Sequence, residues 1–307
     1  MDIVCISIRK INEKDSAMLA TFTGIYQENL HIVLRWLRFY MGEARWAFTW
    51  QFQAADMVAP KVVIETLNNM HTVCKSDDFR TTMHTSGDVI DLLLSVWLWQ
   101  DRHGNAMYLT YPPEKSGGKC ALDPTIHLFA EFCLDRKSQF LVWEKVFALT
   151  GREQKRFMQC ALSRMEQWKA PPRDKFISSA PINGLDTLII SMCCFLDIRG
   201  IASAFVKFNI AGNALKLALA HVDLPFLTAA QPPAAFASIT GAALLQTKSS
   251  SAKGNLQHRI IAQLLDAGIL NVLLDDMFTR HALAPSALPF HVTREEQGRN
   301  RDPNTLN

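Results

Sequence analysis

What this chain lacks narrows its chemistry first. It holds seven cysteines (Cys5, Cys74, Cys120, Cys133, Cys160, Cys193 and Cys194) but no Cys-x-x-Cys step and no His-x-x-x-Cys step. A structural zinc site takes four Cys or His ligands, usually delivered as close pairs. Only His71 and Cys74 fit such a pair. His127 and Cys133 would point away from each other on a helix, so no metal site is assigned. The thiols are odd in number and irregularly spaced. They read as reduced side chains of a reducing compartment, not as a disulfide framework. The opening MDIVCISIRKINEKD has an apolar patch but no basic residues before it and no clear cleavage site, a poor match to a secretory leader. Spanning a bilayer takes ~20 apolar residues. The best run, Val89 to Trp99, carries Asp91 and reaches about half that length. No membrane segment is expected, and the expected location is cytoplasmic or nuclear.

Charge of one sign is also scarce. The net charge is +3. Phosphate binding needs a concentrated basic face, so no nucleic-acid partner is expected. There is no G-x-S-x-G, no H-E-x-x-H and no kinase signature. KSGGKC, Lys115 to Cys120, fails as a phosphate loop. Pro113 stands where the loop needs glycine, and Cys120 where it needs Ser or Thr. The acidic pairs Asp77-Asp78, Asp275-Asp276 and Glu295-Glu296 point about 100° apart if helical and read as solvated surface. Cys193-Cys194 reads as core. No catalytic residue, cofactor or cofactor-binding residue is assigned. Strand signal is nearly absent as well: only Ala106 to Tyr111 alternates, and briefly.

What is present is helix. Hydrophobic residues make up 49% of the chain and charged residues 20%, a folding composition. In NLHIVLRWLRFYM, Leu30, Val33, Leu34, Leu37 and Met41 form one helical stripe, and Ile32, Trp36 and Phe39 a second. That leaves a narrow polar ridge of His31, Arg35 and Arg38, so this helix is expected to be covered on more than one side. A second helix begins around Pro60 and carries Val63, Leu67, Met70 and Cys74. Ser86 is placed to cap DLLLSVWLWQ. Thr150 and Glu153 form a capping-box pattern before Phe157, Met158, Ala161, Leu162, Met165 and Trp168. Further helices are expected at Leu185 to Asp197, Ile201 to Asn209, Asn213 to Val222, Pro233 to Thr247, Leu256 to Ala267 and Ile269 to Arg280. Asp101 to Pro124, with its Pro-Pro and Gly-Gly steps, reads as a loop insertion. The expected organisation is a helical array over 1–283 with that insertion at 101–124, and a disordered tail at 284–307.

Glycine placement suggests how the helices are arranged. In LLDAGILNVLL, Gly268 suits a turn between two helices, since a helix interior penalises glycine by about 1 kcal/mol while a helix end welcomes its left-handed conformation. Ala211-Gly212 reads as a similar hinge, and Gly24 as a looser one. These small-Gly-apolar turns resemble those of armadillo-like repeats. The two Ala-Gly hinges lie too far apart for adjacent units of the ~40–47 residue period, so an intervening loop is implied. The expected fold is all-α with armadillo-like stacked helices; the alternative is an irregular helical bundle. The succession VWLWQD, CALDPTIHLFAEFCLD, RFMQCALSRMEQW and LLDAGILNVLL also resembles the helical region of MYND-finger-associated proteins of mushroom-forming fungi. That resemblance implies no activity, and the finger itself is absent, so no zinc role passes to any residue here.

One charged feature stands out. Arg152, Lys155, Arg156, Arg164, Lys169, Arg173 and Lys175 outnumber Glu153, Glu166 and Asp174. Arg152, Lys155 and Arg156 lie outside the apolar stripe, either as a solvated face or as a docking face for an acidic partner. Arg35 and Arg38 are read the same way. The expected function is a non-catalytic protein–protein interaction scaffold with a protein partner. The alternative is a helical enzyme or small-ligand-binding protein with a site of dispersed residues near the 101–124 insertion.

Overall fold

A computed structural model describes residues 16–42, 58–73, 76–107, 123–167, 180–222 and 254–270. The chain divides into two units, Met1–Ile269 and Leu270–Asn307. All the described residues except Leu270 belong to the first unit. Among the described residues every regular element is a helix. They are α1 Ser16–Gly42, α2 Val58–Val73, α3 Asp77–Thr85, α4 Gly87–Trp97, α5 Pro124–Leu134, α6 Gln139–Phe147, α7 Gly151–Glu166, α8 Ala180–Cys193, α9 Arg199–Lys207, α10 Ile210–Val222 and α11 Gly254–Asp266.

The helix starts follow their capping chemistry. Ser76 accepts from the Phe79 amide at α3, Ser86 from Val89 at α4, and Asp123 from Thr125 at α5, where Pro124 fills the first position. Thr150 and Glu153 close the reciprocal box at α7. Each cap satisfies amides that have no intrahelical partner. The Gly268 turn is found as expected. α11 ends at Asp266, and Gly268 has φ 93°, with its amide bonded to the Leu265 carbonyl at 3.0 Å.

The other two hinges are corrected. Gly24 lies inside α1 and Gly212 in the first turn of α10. The break between α9 and α10 falls at Phe208-Asn209, and Asn209 takes the left-handed conformation with φ 51°. Asparagine is one of the few residues other than glycine that enter that region. Gly212 is small for a different reason: a Cβ there would run into the Asn209 side chain. Of the strand expected at Ala106 to Tyr111, only Ala106 and Met107 are described, and Ala106 forms an isolated bridge with Gln100. Positions 108–111 lie outside the described residues, as do Pro233 to Thr247, the helix expected beyond Leu270, and the tail.

Packing runs in two lines. α2, α5, α8 and α10 each pack against the next. Beside them α1 packs on α4 and α4 on α6, and further along α7 packs on α9 and α9 on α11. Cross-contacts join the lines at α1–α2, α4–α5, α5–α6, α7–α8, α9–α10 and α10–α11. The centre is aromatic. Trp97, Phe129, Phe157 and Phe195 are all buried, with Trp97 stacked on Phe129 at 4.2 Å between centroids and Phe157 edge-on to Phe195 at 5.6 Å.

Arg164 lies in this core and not on a basic face. It is fully buried, 4.3 Å above the Trp97 ring, and both its Nη atoms donate to the Trp97 carbonyl at 3.2 Å. Burial lowers its pKa. The carbonyl it clasps closes α4, where the helix dipole is negative, which offsets part of the desolvation.

Candidate functional site

The most concentrated polar chemistry lies where α2, α3 and α5 meet. Met70 and Phe79 with Met83 mark the buried faces of α2 and α3, and that spacing brings His71 and His84 inward with them. The two Nε2 atoms stand 3.1 Å apart. Ser138 donates its hydroxyl proton to the Phe132 carbonyl at 2.8 Å, so it accepts from His84 Nδ1–H at 2.9 Å. This network assigns the His84 tautomer and leaves a lone pair on its Nε2. His71 Nε2–H then donates to that lone pair, with Glu131 Oε2 also 3.1 Å away. The His84 ring stacks on Phe132 at 4.3 Å and 8°.

Both imidazoles are neutral at pH 7 by this construction. Burial pushes the His71 pKa down to about 4, partly opposed by Glu131, and burial likewise lowers His84, partly opposed by Asp135. The pair backs a cavity of about 520 Å³ whose lining includes Arg80, Glu131, Asp135 and Lys137. The arrangement can hold a proton between two rings. No group of three His, Cys, Asp or Glu side chains among the described residues has metal-binding geometry. The sequence paired His71 with Cys74, which lies outside the described residues; its partner is His84 instead. Nothing in the sequence around His84 marked it as the partner of His71.

The surface offers a second kind of site. On α1, Leu30, Leu34 and Leu37 are buried, but Ile25, Ile32, Trp36 and Phe39 are exposed, Trp36 by 58%. Among the described residues, the expected cover over the second stripe is therefore not found. α2 and α4 both pack on the first stripe's side and leave the other to solvent. Ile32, Trp36 and Phe39 line a groove of about 440 Å³ with His31 and Arg35. Arg38 is taken up elsewhere. It pairs with Asp88 at 2.6 Å and Asp91 at 3.4 Å, and Asp91 also holds Lys145 at 2.8 Å. These pairs tie α1, α4 and α6 across one face.

α6 carries a comparable ridge. Phe140 and Phe147 are exposed, and Trp143 stacks on Phe147 at 5.0 Å with its Nε1–H donated to Asp197. Leu134, at the end of α5, is exposed nearby in sequence. α7 comes next in the chain, and Arg152, Lys155 and Arg156 are all exposed on its first turns. Glu153, the acid among them, has its carboxylate committed to the Thr150 cap, which lowers its pKa. Lys169, Arg173 and Lys175 lie outside the described residues.

The other candidates resolve into structure. Cys133, Cys160 and Cys193 are buried, and burial raises all three thiol pKa values, which makes them inert. Asp77 and Asp78 sit exposed in the first turn of α3, where the helix dipole favours acids. Of the insertion, 101–107 is described. Asp101 caps a tight turn through Gly104 (φ 82°), and the Ala106 amide donates to Ser163 of α7. KSGGKC and the remaining acidic pairs lie outside the described residues. No helix among the described residues is long and apolar enough to cross a membrane. No family model, no curated protein and no solved structure matches this chain.

Proposed function

We propose that this protein is a non-catalytic scaffold of stacked helices, armadillo-like in plan, that holds another protein. The observation that carries the reading is where its large apolar side chains meet water. Among the described residues they fall on α1, on the end of α5 with α6, and at the end of α11. Scattered single exposures are ordinary, but apolar ridges rimmed by polar groups mark interaction surfaces. The packing in two lines, each helix on its neighbours, supports the stacked plan, because such arrays expose long edges to extended partners.

The edge that docks the partner is α6 with the start of α7. Phe140, Trp143 and Phe147 supply aromatic anchors, and Arg152, Lys155 and Arg156 supply three exposed positive charges against the single carboxylate of Glu153. Aromatic and arginine side chains dominate binding hot spots. The partner segment is accordingly acidic with apolar anchors.

A photoreactive side chain at position 147 tests this. Cross-links to an acidic segment of a partner are expected, and the triple variant R152E/K155E/R156E should lose them while melting unchanged. Equal capture by both proteins, or no cross-link from either, overturns the reading. The His71–His84 cavity favours one other reading, a small-ligand-binding protein. It would displace the scaffold if native mass spectrometry of purified protein shows a stoichiometric small molecule.

A further inference from the structure

The exposed face of α1 has a symmetry of its own. Ile25, Ile32 and Phe39 recur at seven-residue steps, and Trp36 lies one turn beyond Ile32. Seven-residue steps hold a seam straight along a helix, and the seam here spans about 21 Å at 1.5 Å per residue. Two charged residues flank it on one edge, Glu28 and Arg35, also seven apart and both exposed. Neither has a hydrogen-bond or ion-pair partner among the described residues, whereas Arg38 on the same helix is already paired with Asp88.

These positions are self-complementary when α1 is laid antiparallel on a second α1. With Ile32 on the two-fold axis, Ile25 faces Phe39 of the second copy, and Phe39 faces Ile25. An antiparallel two-fold keeps each helix's flank on the same side, so Glu28 meets Arg35 of the second copy, twice. A parallel pairing moves the flanks apart and leaves both charges unpaired. We infer that a second copy of this chain covers the α1 ridge, as an antiparallel two-fold pair centred on Ile32. Two-fold dimers with one patch used twice are the commonest soluble assemblies. The inference goes beyond the α6–α7 reading and uses a different face: a dimer that captures nothing, or a monomer that captures an acidic partner, separates the two.

Sedimentation of the full chain over a range of concentrations is the test. A species of twice 34.6 kDa is expected, dissociating on dilution. Ile32→Glu sets two carboxylates against each other on the axis and should leave only monomer. Arg35→Glu and Glu28→Arg should each weaken association by about tenfold or more, since each variant replaces two attractive pairs by repulsive ones. The double variant E28R/R35E should restore it. All these side chains are exposed, so melting curves taken dilute, where the wild type is also dissociated, should match it and separate lost pairing from lost folding. A chain that stays monomeric, a dimer indifferent to Ile32→Glu, or a double variant without recovery overturns the inference.

Discussion

Along α1 the protein leaves Ile32, Trp36 and Phe39 in water, while on the neighbouring α2 it takes His71 out of water and pairs it with His84. Each region reverses the usual partition of side chains. The α1 ridge costs the folded chain little, because an exposed ring is no worse placed than it was before folding. The histidine corner is costly, because each buried polar atom needs a partner. The corner therefore gives up stability to fix three helices in one arrangement. The ridge holds apolar area that only association removes from water.

The largest effect that would sharpen this contrast is pH. His71 and His84 have folded pKa values below the ordinary 6.5, so the unfolded chain binds more protons. Their contribution is complete above pH 6.5 and is lost as pH falls towards about 4, the folded value of His71. For His71 that loss amounts to roughly 3 kcal/mol. Glu131 and Asp135 face the pair and moderate it, while Arg80, Lys137 and His127 oppose protonation. Urea midpoints from pH 7 to 4 should fall in wild type and much less in His71→Gln. A flat wild-type profile breaks the comparison.

Next in size is Ser138→Ala, which deprives the Phe132 carbonyl of its donor and leaves His84 Nδ1–H only the Asp135 carboxylate at 3.4 Å. A loss of about 2 kcal/mol is expected in the same titration. Gly268→Val, at a positive φ far from both regions, should lower the melting temperature by the equivalent of about 1–2 kcal/mol. An unchanged curve would remove the turn. The smallest effect belongs to the ridge. Trp36→Ser, measured dilute, should move stability by no more than about 0.5 kcal/mol. A larger loss would show that the ridge is covered within the chain.

Much of the fold was legible because helix ends obey local chemistry. Ser86, Thr150 with Glu153, and Gly268 each act over three or four residues, and each is found where the sequence placed it. Gly212 misled because glycine also appears where a neighbour crowds the Cβ, and the left-handed residue was Asn209. Ile32, Trp36 and Phe39 misled because an apolar stripe reports that burial is favourable, not that a neighbour supplies it. Arg152, Lys155, Arg156 and Arg35 were legible as exposed by periodicity alone. Arg164 was not, because whether an arginine on an apolar face snorkels or turns inward depends on Trp97, a residue from another helix. The His71–His84 pair joins two helices across a break, and no local pattern in either helix announces the other.

The clasp of Arg164 on Trp97 bears on how the molecule comes apart. Rods touching only adjacent rods shed their outermost members first when heated, one after another. Here a fully buried guanidinium joins α4 to α7. Parting those two rods takes the Trp97 carbonyl from a buried cation and leaves it only the Cys160 carbonyl of its own helix, which is a steep barrier. The separation of α4 from α7 is thereby expected to come late in melting and as a single abrupt event.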